Sequence, residues 1–67
     1  MLYRIKITKC FDIVIELDSD REAIMYAWEL YKQFCKGGRS LYVHILERRD
    51  DYLVDKGLIY SSRSIEK

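Results

Sequence analysis

The sequence predicts an α+β domain: a β-β-α-β core in which one helix packs on a small antiparallel or mixed sheet of three to five strands. Three observations carry that expectation. Residues 2–8 and 11–17 alternate apolar with polar side chains, the period of two that marks a half-buried strand. Ser19 followed by Glu22 makes a capping box, and Gly37-Gly38 supplies a stop, so a single helix is bracketed between them. Residues 40–47 then resume an extended, strongly apolar pattern.

In the first strand Tyr3, Ile5 and Ile7 share one face and Arg4, Lys6 and Thr8 the other. In the second, Phe11, Ile13, Ile15 and Leu17 oppose Asp12, Val14 and Glu16. The link is too short for anything but an antiparallel hairpin. A two-residue turn at Lys9-Cys10 would mix the faces, whereas a three-residue loop pairs Ile7 with Phe11 and Ile5 with Ile13 and sets Lys6 beside Asp12. The loop lacks the Gly or Asn that a left-handed turn residue favours.

The helix is expected from about Asp20 to Lys36. At 100° per residue, Ala23, Ile24, Ala27, Leu30, Tyr31 and Phe34 fall on one broad face, with Trp28 and Cys35 at its border. Met25 lies among the charged residues and Tyr26 on the margin. Phe34→Ala is therefore expected to cost ~3–5 kcal/mol, as a core truncation does. Acidic residues at the start and Lys32 and Lys36 near the end suit the helix dipole.

In the third strand Leu41, Val43 and Ile45 face the helix, and Tyr42, His44 and Leu46 face away. The charged run Glu47-Arg48-Arg49-Asp50-Asp51 reads as a turn, and Asp55-Lys56-Gly57 as a second, between short strands at 52–54 and 58–60. A helical turn ending at Gly57 is the alternative. One domain over residues 1–60 and a frayed tail over 61–67 follow.

Composition narrows the function more than it identifies it. A chain of 67 residues buries only about 60% of the surface its unfolded form exposes, which leaves its stability marginal. Cys10 and Cys35 read as free thiols, one in a turn and one on a helix, which implies a reducing, cytoplasmic setting. A metal site built from Cys10, Cys35 and His44 lacks the paired short spacing of zinc ligands. No apolar run reaches the ~18–20 residues of a membrane span. No triad spacing, phosphate-cradling loop or paired carboxylates appear, so neither an enzyme nor a cofactor is expected.

Twelve Lys and Arg against eleven Asp and Glu give a formal charge of +1, short of the basic excess that phosphate contacts demand. Nucleic-acid binding through tyrosines and Arg48-Arg49 is the weaker alternative. The stronger expectation is a protein partner. Met25, Tyr26, Tyr42, Leu46, Arg48 and Arg49 are the candidate contact residues, being of the types that anchor interfaces or lying beside them. A homodimer paired through sheet edges is the structural alternative.

The stretch Phe11-Asp12-Ile13-Val14-Ile15-Glu16-Leu17-Asp18-Ser19-Asp20-Arg21-Glu22-Ala23, with Ala27 and Tyr31, resembles the hairpin-and-helix core of the small podoviral phage inhibitors of bacterial RNA polymerase. It shares their Phe-x-aliphatic-x-Ile strand, their capping box with Glu-Ala, and the helical Ala and Tyr. The arginines on that family's returning strand have no counterpart here, where Ile45 and Leu46 or Glu47 stand nearest, so no binding residue carries over. The resemblance implies a class: phage-encoded proteins that disable a host machine, transcriptional or defensive, by docking on it in the bacterial cytoplasm.

Overall fold

The structure is a computed structural model and describes residues 1–35 and 40–63, Arg63 by its backbone alone. Strand β1 (Leu2–Ile7) and strand β2 (Phe11–Glu16) precede helix α1 (Asp20–Phe34); strands β3 (Ser40–Arg49) and β4 (Tyr52–Arg63) follow it. The four strands form one antiparallel sheet in the order β2-β1-β3-β4, with α1 packed on one side across β1 and β3. This is the α+β arrangement that the alternation and the capping box predict.

The first hairpin has the register that keeps apolar residues together: Ile7 pairs with Phe11, Ile5 with Ile13, and Lys6 with Asp12. Its turn is closed by the Cys10 amide donating to the Ile7 carbonyl at 2.9 Å, with Lys9 at φ 64°. A left-handed lysine stands where glycine would be free of strain. The sheet's covered side holds Tyr3, Ile5, Ile7, Leu41 and Val43, and the helix contributes Ala23 and Ala27, all buried. Small residues on the helix let its backbone approach the sheet closely. Trp28 anchors the far side of α1, its indole N–H donating to the Tyr60 hydroxyl at 3.1 Å.

Half of the capping box forms as expected, the Ser19 hydroxyl side, and the carboxylate side is shifted by one residue. The Glu22 amide donates to Ser19 Oγ at 3.2 Å, and the Glu22 carboxylate reaches back to the Asp18 amide at 3.0 Å rather than to that of Ser19. The Tyr3 hydroxyl donates to Asp20 Oδ1 at 2.7 Å and ties the helix start to β1. The helix ends at Phe34, two residues before the expected Lys36, with Cys35 as its C-cap. The expected stop at Gly37-Gly38 lies outside the described residues.

Four expectations are corrected. Phe34 is 64% exposed; it stands at the helix end and touches the core only edge-on, through Phe11 at a ring separation of 5.9 Å. Cys10 and Cys35 are bonded to each other, their Cα atoms 5.8 Å apart, because the β1–β2 turn folds under the end of the helix. The segment Asp55-Lys56-Gly57 is no turn. Among the described residues the only reversal after β3 is Asp50-Asp51, with Asp50 at φ 50°, and β4 continues unbroken from Tyr52 to Arg63. Residues 61–63 therefore belong to the sheet and not to a frayed tail.

Two register shifts interrupt the β3–β4 ladder, one between Val43 and His44 and one between Ile45 and Leu46. Each leaves an extra β4 residue, Ile59 and Lys56 respectively, as a bulge. Gly57 at φ 136°, its amide bound to Asp55 Oδ1 at 2.9 Å, permits the second. The residues that read as a turn thus do their turning inside a strand. Beyond Leu46, β3 has no β1 partner, so Glu47–Val54 extends as a two-stranded arm from a molecule 41 Å long and 20 Å across.

Candidate protein-binding face

The helix covers one side of the sheet, and no described residue covers the other. Alternation places Leu2, Arg4 and Lys6 of β1 on that open side, together with Asp12, Val14 and Glu16 of β2. From β3 it takes Tyr42, His44, Leu46 and Arg48. Their partners Ser61, Leu58, Asp55 and Leu53 bring β4 to the same side. Val14 is 49% exposed, Leu58 51% and Leu53 41%. No cavity is found among the described residues.

Its polar groups are arranged in pairs among the apolar ones. Arg4 grips Asp12 with a two-pronged contact, Nε to Oδ1 at 2.8 Å and an η nitrogen to Oδ2 at 2.7 Å. Those hydrogen bonds hold the Asp12 carboxyl below the usual carboxylate range and raise the guanidinium above its own. His44 Nδ1 lies 3.1 Å from Asp55 Oδ2, near enough for ionic attraction but without the alignment of a hydrogen bond. Lys6 and Arg48, on the same face, enter none of the ion pairs found among the described residues, so a partner would meet these two charges as well as the leucines, Val14 and Tyr42.

The expected contact residues do not come together. Tyr42, Leu46 and Arg48 lie on the open face of β3. Met25, 58% exposed, and Tyr26 lie on the outer side of α1, across the molecule from them. Arg49 projects from the opposite side of the arm, where it meets Glu47 at 3.3 Å, with Lys56 3.4 Å from the same carboxylate. Arg49 first and Lys56 second hold the Glu47 carboxyl below its usual range. The six residues therefore mark two surfaces and the arm, not one site.

Leu53 and Leu58 were absent from the sequence-based set. Their spacing puts them on opposite faces of any regular strand, and only the extra residue at Lys56 aligns them. The signal was Asp55-Lys56-Gly57, read as a turn when it is a bulge. The arm offers little to a polyanion: Arg48 and Arg49 are outnumbered there by Glu47, Asp50 and Asp51. His44 faces away from the helix side on which Cys35 is buried, and the cysteines engage each other, so these three residues do not form a ligand set. No other group of three or more metal-ligating side chains is found among the described residues. No described helix is long and apolar enough to cross a membrane.

Compared with known protein families, with characterised proteins and with solved structures, the chain matches none.

Proposed function

We propose that this chain is a small non-enzymatic protein-binding module, an inhibitor or modulator that docks on a protein complex through the open side of its sheet. The observation that carries this reading is the set of apolar residues Leu2, Val14, Leu46, Leu53 and Leu58, with Tyr42, interspersed with charged ones on a face that β4 borders rather than covers. Aliphatic and aromatic residues interleaved with the Arg4–Asp12 and His44–Asp55 pairs make a mixed face of the kind that non-obligate interfaces present. The balance of charges favours a protein over a nucleic acid as the occupant.

Residues 11–31, which resemble the podoviral inhibitors, favour a host transcription complex as the partner, with a nuclease-based defence complex as the other target of that kind. Such a target implies action in the bacterial cytoplasm, where thiols are kept reduced. The Cys10–Cys35 bridge removes the argument from free thiols for that compartment. The reading accordingly requires binding to persist after the bridge is reduced.

The test is affinity purification from bacterial lysate with nuclease treatment, in parallel with Leu58→Glu and Met25→Glu. A stoichiometric protein retained by wild type and by Met25→Glu, but lost with Leu58→Glu, is the expected result. Recovery of nucleic acid alone, or equal retention by all three chains, overturns the proposal.

A further inference from the structure

The sheet has two edges, and they are built differently. On β4 two bulges and the left-handed Gly57 distort the outer rim, a common protection against unwanted pairing. On β2 there is no bulge, and the chain contains no proline. The orientation of its backbone can be read from its neighbour. Met1 and Leu17 exchange both hydrogen bonds, each at 2.9 Å, so Leu17 points its amide and carbonyl inward toward β1. By the alternation of an antiparallel ladder, Ile15, Ile13 and Phe11 do the same, and Asp12, Val14 and Glu16 present theirs outward. No described residue bonds to them.

The side chains along this rim are also incompletely covered. Because α1 lies over β1 and β3, the helix-side row of Phe11, Ile13, Ile15 and Leu17 is only partly buried. Exposed Phe34 stands at its end, against Phe11. An open backbone edge thus runs beside an unfinished apolar row.

We infer that β2 is a dimerisation edge and that its occupant is β2 of a second copy of this chain, antiparallel about a two-fold axis through Ile13. Three registers can be compared. A shift that opposes odd with even residues puts apolar against polar side chains and misaligns the outward backbone groups. An axis through Val14 sets Asp12 opposite the partner's Glu16, and the symmetry repeats that like-charge contact. An axis through Ile13 removes it. Asp12 then lies opposite the partner's Val14, the two exchanging backbone bonds, and Phe11 opposes the partner's Ile15. Ile13 meets the partner's Ile13, and Glu16 comes opposite the partner's Cys10, at the turn. The edge is self-complementary in hydrogen bonds and in apolar contact. The inference stands independently of the open face, which such a pairing extends and does not cover.

Sedimentation equilibrium over ~1–500 µM suits so small an interface, which belongs with the weaker class. Wild type is expected to move from monomer to dimer within that range. Val14→Glu, which gains Arg4 as a neighbour in the monomer but faces the partner's Asp12 in the dimer, should weaken association at least tenfold. Val14→Pro removes an outward amide and should do the same; circular dichroism establishes that each variant is folded, and Val14→Glu decides if the proline variant is not. In Ile13→Cys the paired Cα atoms would be about 4.5 Å apart, within disulfide reach, so mild oxidation should give a covalent dimer that wild type does not form. A wild-type chain that stays monomeric to 500 µM overturns the inference. So does a dimer indifferent to Val14→Glu, or one that Ile13→Cys cannot lock.

Discussion

At the scale of single residues, two side chains show strain and its relief. Lys9 holds φ 64° in an exposed turn, a conformation that costs a residue with a Cβ about 1 kcal/mol. Lys9→Gly should raise the midpoint of urea unfolding, with a gain of about 0.5–1 kcal/mol after the added entropy of the unfolded chain. Tyr3 is the opposite case: fully buried, with its hydroxyl bound to Asp20. Burial first, and the hydrogen bond to Asp20 second, push its phenol up to about 12 from an ordinary value of 10. Because the folded state holds that proton more tightly, its contribution is complete below pH 10 and lost as the pH rises from there toward 12. Thermal melts should fall across that window in wild type more steeply than in Tyr3→Phe, which itself gives up about 1 kcal/mol at neutral pH. The sequence placed Tyr3 in the core through its period-two neighbours. It gave no hint of Asp20 as a partner, because that contact needs the helix start to lie over β1.

Among the elements, the hairpin, the helix start and the inward face of β3 were legible because each is written in local chemistry: alternation, a capping box, a short loop. The helix end was not. Phe34 continues the apolar face of the wheel, yet the sheet stops beneath it, and a helical wheel carries no information about where its neighbour ends. Phe34→Ala should therefore cost about 1 kcal/mol, the worth of an edge-on aromatic contact, and not the several kcal/mol of a core truncation. Ile5→Ala, at a fully buried position in a central strand, should cost ~2–5 kcal/mol and unfold a substantial fraction of so small a domain. The cysteines escaped the sequence for the same reason as Phe34. Their closeness depends on a turn and a helix end meeting across 25 residues. Closing a loop of that length stabilises by about 3.5 kcal/mol in the chain-entropy account, so reductant should lower the unfolding free energy by about that amount.

For the whole molecule, the decisive fact is an imbalance between two sides of one sheet. Among the described residues there is only one helix, and it can cover only one face. That much followed from counting elements. What did not follow was the fate of residues 52–60, which could have folded back as a lid and instead lengthen the sheet. The bulge at Lys56 brings Leu53 and Leu58 onto the same open face, so the local irregularity enlarges the global exposure. Charge adds a modest acid sensitivity. Asp12 and Glu47 are both held below their ordinary values, so what they contribute is present near neutrality and fades as the pH falls below about 4. Both pairs are well exposed, and salt should screen the effect; acid titrations at low and high ionic strength will show the difference. The unequal rims of the sheet carry one last implication. A particle with two sticky ends strings into filaments, whereas one with a single sticky end, matched to itself by a dyad, is satisfied after one encounter. The irregularities of β4 thus set an upper limit on assembly, and the species they permit is finite.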